Sequence, residues 1–178
     1  MITGRARFNL YLLLAVAAFS FCGCQTHKND KSKELATLRI HLEAGPEDAG
    51  RTTKVPIYRA HPYEIEVQQD PFITEAHVAS ARVVDTIGGF ELQIHLNRQG
   101  SWLFQDYSAT YRGKHFAIFS QFGEKGKESR WLGAPQFNRL ISDGVFQFTP
   151  DATREEADEI ALGLNNIAKK NDQDTMKW

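Results

Sequence analysis

The sequence predicts an α+β fold, with a mixed or antiparallel sheet and two principal helices packed on one face. Several short segments alternate apolar and polar residues, which is the period of strands with one buried side. Two longer segments, near 101–113 and at 153–170, repeat apolar residues every three or four positions, as amphipathic helices do. With 42% hydrophobic and 24% charged residues, the composition is that of a globular domain rather than a disordered or polytopic membrane chain.

Strands make up most of the predicted single domain, residues 36–170. At 36–43 three apolar side chains share one face, and the same alternation recurs at 63–68 and 90–96. The other elements predicted in this part of the chain are strands at 54–58, 81–86, 115–122, 130–132, 136–141 and 145–149, and a helical turn at 74–78 that Thr74 caps.

The C-terminal helix has the clearest start signal in the sequence. Thr153 and Glu156 match a capping box, in which hydroxyl and carboxylate each accept a hydrogen bond from the other residue's amide. Two lysines stand near the end of its apolar stripe, where the helix dipole favours positive charge. We expect residues 171–178 to form a frayed tail. The earlier helix is expected to begin at Ser101 and to stop near Gly113.

Residues 1–23 have the features of a secretory signal peptide. A positively charged start precedes an apolar run that, at roughly 12 residues, is too short to span a bilayer as a helix. The run ends in a Cys-Gly-Cys sequence that resembles the lipobox of bacterial lipoproteins, in which a small residue, here Gly23, precedes the lipidated cysteine. The resemblance implies that Cys24 is the lipidated first residue of the mature chain. The polar residues 24–35 are then a flexible tether.

Lipidation implies a protein anchored in the bacterial cell envelope, through its N-terminal lipid, and facing the periplasm. The mature chain would contain no disulfide, because Cys22 leaves with the signal peptide and the Cys24 sulfur is acylated. Gln25 replaces the aspartate that retains some lipoproteins at the inner membrane, which favours the outer membrane. The alternatives are a plain secretory signal with a chance cysteine, and a redox pair of Cys22 and Cys24, for which a leader offers no fold to tune the thiols.

The sequence offers no convincing active site. A net charge of −1 removes the electrostatic case for nucleic-acid binding. The histidines at 27, 41, 61, 77, 95 and 115 lack the spacing of metal ligands, and we predict that they are scattered over the surface. Helix capping and the helix dipole explain the acidic residues at 155–159, and no nucleophile motif surrounds the serines at 108, 120 and 129. We therefore predict no metal, no cofactor and no enzymatic activity.

Two tryptophans are the remaining candidates for a binding surface. A tryptophan at a helix start or in a strand is usually a core residue, but an exposed one can anchor a partner. Trp131 is the better candidate anchor of the two, ahead of Trp102, because the rigid Gly-Ala-Pro segment follows it. We predict a partner-binding site at Trp131, Ala134 and Pro135.

Several short motifs follow one another through residues 72–168. They are a threonine-led turn before a strand at 74–81, Gly113-Lys114, Ala117-Ile118, Ala134-Pro135, Ile141 with Gly144, and Phe148-Thr149 before an acidic helix start at 155–157. In this order they resemble the head part of the first periplasmic domain of SecD, a subunit of the bacterial preprotein translocase. The resemblance implies an α+β head domain that contacts protein partners.

The chain also departs from that family's pattern. The tight aspartate-glycine turn of the family is replaced by the longer loop 122–129, and about two extra residues precede the last helix at 150–152. No membrane-spanning bundle is expected from the sequence, so the family's proton-coupled motor activity is not implied here.

The leading hypothesis is a non-enzymatic envelope lipoprotein whose head-like domain binds a protein or peptide, in export or in envelope maintenance. The alternatives are a periplasmic small-ligand binder, an enzyme whose site is assembled from distant residues, and a purely structural envelope component. A deep pocket with converging polar groups would favour the ligand binder or the enzyme.

Overall fold

The computed structural model describes residues 34–175 of the chain. The predictions for the signal peptide, for Cys24 and for the tether up to residue 33 lie outside the described residues, as do residues 176–178. Among the described residues, no helix combines the length and the apolarity that crossing a bilayer demands.

Nine strands and two α-helices follow one another within residues 34–175. The strands are β1 (Thr37–Leu42), β2 (Thr52–Ile57), β3 (Tyr63–Gln68), β4 (Ile73–Thr74), β5 (Val78–Thr86), β6 (Gly89–Leu96), β7 (Phe116–Phe122), β8 (Glu128–Gly133) and β9 (Val145–Phe148). The helices are α1 (Arg98–Thr110) and α2 (Arg154–Thr175). Single turns of 3₁₀ helix lie at Pro46–Asp48, Glu75–His77 and Glu124–Gly126.

The strands form three antiparallel sheets. Four strands lie in the order β4-β1-β7-β8, three in the order β5-β6-β9, and β2 pairs with β3 as a separate hairpin. This arrangement, with two helices, confirms the predicted α+β fold. The predicted strand 63–68 has the bounds of β3, and β1, β6, β7 and β9 lie within one residue of their predicted ends.

The main hydrophobic core lies between the four-stranded sheet, the three-stranded sheet and both helices. It is built from the buried faces of β1, β6 and β7, together with Phe104 of α1 and with Ile160 and Leu164 of α2. Phenylalanine rings fill its centre: the Phe104 ring stacks on Phe146 at 4.7 Å between centroids and meets Phe116 edge-on at 5.4 Å. Contacts of this kind add to the stabilisation that burial of the ring areas already provides.

A second, smaller core lies on the opposite face of the four-stranded sheet. The β2–β3 hairpin covers that face with Val55, Ile57, Ile65 and Val67, which pack on Ala117 and Ala134. The alternation of β2 and β3 follows from this arrangement, because only one side of the hairpin meets the sheet. The four-stranded sheet therefore has buried residues on both faces, whereas the hairpin has one face exposed to solvent.

The predicted strand at 136–141 is wrong. Only Gln136 makes a bridge, with His115, and the chain then runs irregularly to β9. Its apolar residues Phe137 and Ile141 are still buried, but the Ile141 amide donates to the Ser108 hydroxyl of α1 at 3.0 Å instead of to a strand. The Phe137 amide and carbonyl pair with the turn at Gly113 and Lys114, so the segment fills the core without extending a sheet.

The start of α1 also differs from the prediction. Asn97 is the N-cap, and its side-chain oxygen accepts a hydrogen bond from the Gly100 amide at 2.9 Å. Ser101 lies inside the first turn, where its hydroxyl donates to the Leu96 carbonyl at 3.3 Å. Asparagine and serine are both good caps, so the sequence pattern alone did not separate the two.

Helix α2 begins as predicted and ends later. The Thr153 amide donates to the Glu156 carboxylate at 2.8 Å, and the Glu156 amide donates to the Thr153 hydroxyl at 3.2 Å, which completes the capping box. The helix continues to Thr175, so residues 171–175 of the predicted frayed tail are helical. The Asn165 side chain pairs with both backbone groups of Ala81 at 2.8 Å each, and so blocks the edge of β5.

The chain enters the domain across the middle of α2. A Cβ atom at Gly163 would lie 2.5 Å from the Ala36 nitrogen and 2.8 Å from the Leu35 carbonyl carbon, closer than atoms pack. The Asn166 side chain also donates to the Glu34 carbonyl at 2.9 Å. Glycine at 163 therefore serves this close approach, at the expense of helix propensity.

Candidate functional site

A cleft of about 340 Å³ separates the β2–β3 hairpin from strand β8. It is lined by Pro56, Tyr58, Arg59, Pro62, Phe119, Ser129, Arg130, Trp131 and Asp151. Most of its wall is apolar, and the hairpin and the sheet reach it from distant parts of the chain. It lies where the second core reaches the surface, since Trp131 packs against that core.

Trp131 stands in the wall of the cleft between two aromatic neighbours. Its ring centroid lies 5.2 Å from that of Phe119 and 5.2 Å from that of His41, which it meets edge-on. Trp131 and Phe119 are cross-strand partners in β8 and β7, so the ladder itself brings the rings together. Both residues are half-buried, so part of each side chain is open to solvent.

His41 packs against Trp131 on the side of the ring that faces the domain interior. It is buried beneath the hairpin, and its Nδ1 lies 2.9 Å from the Gln68 carbonyl at the end of β3. Burial lowers the pKa of His41, since a charged imidazole loses water there. The prediction that the histidines are scattered over the surface is therefore wrong for His41, because the sequence does not show that the hairpin covers this face of β1.

The hairpin side of the cleft contains a strained residue. Tyr58 has a φ of 63°, a left-handed conformation that is uncommon for a bulky side chain. The strained backbone directs the chain out of β2, and the Tyr58 ring lies 6.0 Å from that of Tyr63 between centroids. Both tyrosines are 43% exposed. Strain at such a position often marks a functional site, because the surrounding structure has to maintain it.

Ion pairs close one end of the cleft. Arg130 donates through both terminal nitrogens to the Glu156 carboxylate, at 2.8 and 2.9 Å, and its side chain is only 13% exposed. Arg59 donates from its amide and its Nε to Asp151, at 2.8 and 3.3 Å. These bonds connect the hairpin, β8 and the start of α2. The Arg130 guanidinium lowers the pKa of Glu156, because it stabilises the carboxylate.

The structure brings only part of the predicted binding set to the cleft. Trp131 lines it, whereas Ala134 is buried in the second core and the Pro135 carbonyl accepts a hydrogen bond from Phe116 at 2.9 Å. Cys24 lies outside the described residues. Trp102, the weaker candidate from sequence, is 68% exposed on α1.

The residues that face Trp131 across the cleft carry no motif in the sequence. Tyr58 and Arg59 lie more than 70 positions earlier in the chain, and no motif relates them to β8. The proline residues at 56 and 62, which flank this segment, were the available signal, because proline marks strand edges and turns.

Several histidines and the buried serines of the described residues are engaged in pairs with neighbouring groups. Residues 34–175 contain no group of three or more histidine, cysteine or acidic side chains close enough to hold a metal ion. His115 is used in a pair with Glu43, with 2.9 Å between Nδ1 and the carboxylate. The buried serines 108 and 120 donate to backbone carbonyls.

Fold and cleft together define the class: an antiparallel α+β domain with a half-buried aromatic cleft between a hairpin and a sheet edge. The family model of the SecDF P1 head subdomain matches residues 52–168. The chain therefore belongs to this family, which confirms the resemblance seen in the sequence. The match begins about twenty residues earlier than the motifs indicated, at β2, and so includes the hairpin wall of the cleft.

Solved structures of SecDF share the fold. A SecDF described as a membrane component that enhances protein export superposes with a TM-score of 0.52 at 21% identity, over 75% of this chain and 63% of that one. SecDF in a super-membrane-facing form gives a TM-score of 0.51 at 21% identity, over 74% of this chain and 19% of that one. The chain thus spans less than two thirds of either protein. No curated protein matches it.

Proposed function

We propose that the protein is a lipid-anchored, non-enzymatic envelope component whose SecDF head domain binds segments of other polypeptides during protein export. The observation that carries this proposal is the aromatic cleft at Trp131, in a domain of the SecDF P1 head family. Aromatic side chains with one free face are typical anchors of protein interfaces, because they bury a large area and lose little conformational entropy.

The charges around the cleft support a polypeptide partner of little net charge. Arg130 and Arg59 are both paired with acidic groups, so neither provides a free cation for an anionic ligand. The open wall instead presents the rings of Trp131, Phe119 and Tyr58. Contact with apolar side chains would be favourable there, by roughly 25 cal/mol for each Å² removed from water.

The relation to export follows from the family and is part of the proposal. One SecDF is described as enhancing protein export. A head domain held at the membrane by a lipid would keep a binding cleft near the site where chains emerge. Capture of chains is our proposal for how this domain would take part in export, and no motor activity is carried over.

Photo-crosslinking in cells tests the cleft. A photoreactive phenylalanine analogue in place of Tyr58, in the full-length chain, is expected to capture pulse-labelled, newly exported polypeptides, because Tyr58 lines the cleft. The control places the same analogue at Ile87, which is fully exposed in the turn between β5 and β6 and does not line the cleft. If Tyr58 captured no exported chains, or no more than Ile87, the proposed function would be wrong.

Labelling of cells with palmitate tests the anchor. The wild-type chain and the Cys22→Ala variant are expected to take up label, whereas Cys24→Ala is not, because only Cys24 follows the small residue Gly23. Absence of label in the wild type would contradict the lipid anchor, and label retained in Cys24→Ala would contradict its assignment to that cysteine.

A further inference from the structure

We propose that the segment bound in the Trp131 cleft is an extended strand that pairs with the free edge of β8 at Ser129 and Trp131. This inference rests on the proposed function and specifies how the partner is bound. The class of partner is an unfolded polypeptide in extended form, recognised through its main chain.

The backbone groups of successive residues in β1 face different neighbouring strands. The Ile40 carbonyl accepts from the Phe72 amide at 2.9 Å, and the Leu38 amide donates to the Glu75 carboxylate at 3.3 Å. Both groups therefore point away from β7, toward β4. Successive residues of a strand direct their backbone groups to opposite neighbours, so Thr37 and Arg39 point toward β7.

The pairing of residues between neighbouring strands determines which backbone groups of β8 point away from β7. Thr37 and Arg39 are opposite Gln121 and Phe119, and the Gln121 amide indeed donates to the Thr37 hydroxyl at 3.1 Å. Phe119 and Gln121 thus use their backbone groups on β1, which leaves Ser120 to pair with Arg130. The residues on either side of Arg130, namely Ser129 and Trp131, must then direct their N–H and C=O groups to the free side of β8.

The described part of the chain does not occupy this edge at Ser129 and Trp131. β8 is the last strand of its sheet, and the backbone bonds outside the ladders among residues 34–175 include none to these two residues. The alternation ends at the next residue, Leu132, which lies at a β-bulge between the Trp131 and Gly133 pairs, and its carbonyl accepts from the Asp151 amide at 2.7 Å. The unpaired edge of β8 therefore runs from Ser129 to Trp131, up to the residue that Asp151 contacts. Ser129 and Trp131 both line the cleft.

Strand β2, on the opposite side of the cleft, is not suited to pair with the free edge of β8. β2 is itself a free edge, but Pro56 has no amide hydrogen to donate. Unpaired edges attract strands, and native proteins usually block them. The Asn165 side chain blocks β5 in this way, whereas the edge at Ser129 and Trp131 remains open beside the half-buried rings of Trp131 and Phe119. A strand in this slot would satisfy the backbone of β8 and place alternate side chains on Trp131 and Phe119.

The test measures binding of synthetic peptides to the full-length protein in detergent. The probe is a short peptide of alternating threonine and valine with a central phenylalanine, labelled with a fluorophore. Two further peptides have the same side chains, but every second amide is N-methylated. They differ in which of the two alternating sets of amides carries the methyl groups. We expect methylation in one register to weaken binding about tenfold or more, because two backbone hydrogen bonds are lost, and methylation in the other to change it little.

A protein variant gives an independent measurement. Ser129→Pro removes an amide hydrogen that faces the cleft and no ladder hydrogen bond, although it also fixes φ and replaces the hydroxyl, so we expect at most a modest fall in the thermal midpoint and binding weakened several-fold. The matched control, Ser129→Ala, removes the hydroxyl and retains the amide, and is expected to bind as the wild type does. If Ser129→Pro did not fold, the methylated peptides would still decide the question on the wild-type protein.

The outcomes separate the two proposals. Binding of the plain peptide that neither methylation nor Ser129→Pro weakens would overturn strand pairing and leave the proposed cleft function intact, provided that Tyr58 captures exported chains. If the plain peptide did not bind at all, strand pairing would be overturned, and capture at Tyr58 would then decide the proposed function separately. Register-dependent loss with the methylated peptides supports strand pairing.

Discussion

Replacement of Phe104 by alanine is expected to lower the free energy of unfolding by about 3–5 kcal/mol, the usual range for a fully buried phenylalanine. The ring is completely buried and contacts Phe72, Phe116, Phe137 and Phe146 from both sheets and from the irregular segment before β9. Its removal leaves a cavity among rigid rings that cannot collapse to fill it. Chemical denaturation of the purified full-length chain measures the loss.

Trp102→Ala is the matched control, two positions away on the same helix. Trp102 is larger but exposed, so its replacement is expected to change stability by no more than about 0.5 kcal/mol. Equal losses for the two variants would show that α1 does not pack as described. The structure differs here from the sequence-based expectation of a core tryptophan at a helix start, because Trp102 is 68% exposed.

The positions of the strands could be predicted where one face of the strand is buried and the other is exposed. The alternation in β1, β3 and β6 appears in the sequence because each strand buries every second side chain. The start of α2 was predictable for a local reason, since the capping box needs only Thr153 and Glu156. In each of these elements the physical cause lies within about eight residues, so the sequence pattern contains it.

The errors arose where the cause lies far away in the chain. The segment at 136–141 has the composition of a strand, but its backbone pairs with the turn at Gly113 and Lys114 and with the Ser108 hydroxyl of α1. The burial of His41 depends on a hairpin that folds back over β1. The cleft is of the same kind, because Trp131 stands out in the sequence while its opposite wall, with Tyr58, is defined only by the packing of the hairpin.

Glu156→Gln is expected to destabilise the protein by about 2 kcal/mol at neutral pH. Glutamine keeps the shape and can still accept from the Thr153 amide, but it leaves the mostly buried Arg130 guanidinium without its counter-charge. Hydrogen bonds between charged groups contribute about 1.5–3 kcal/mol, against roughly half as much for neutral pairs. Denaturation of the variant and the wild type at a series of pH values measures the difference.

The pH dependence identifies the carboxylate as the cause. Arg130 holds the folded-state pKa of Glu156 below its ordinary value, so the stability gained from the charge is fully present above the unfolded-state pKa. It is lost as the pH falls through the folded-state pKa, because the unfolded chain takes up the proton first. The stability curves of the wild type and Glu156→Gln are therefore expected to lie apart at neutral pH and to converge in acid.

Glu155→Gln provides the control for this argument. Glu155 lies beside Glu156 in the first turn of α2, with the same proximity to the positive end of the helix dipole, but it is exposed. Its replacement is expected to cost at most about 0.5 kcal/mol, since an exposed charge is well screened. If both variants lost the same stability, or if the Glu156→Gln difference persisted in acid, the dipole or the cap would account for the effect. The ion pair that joins β8 to α2 would then not be what stabilises the closed end of the cleft.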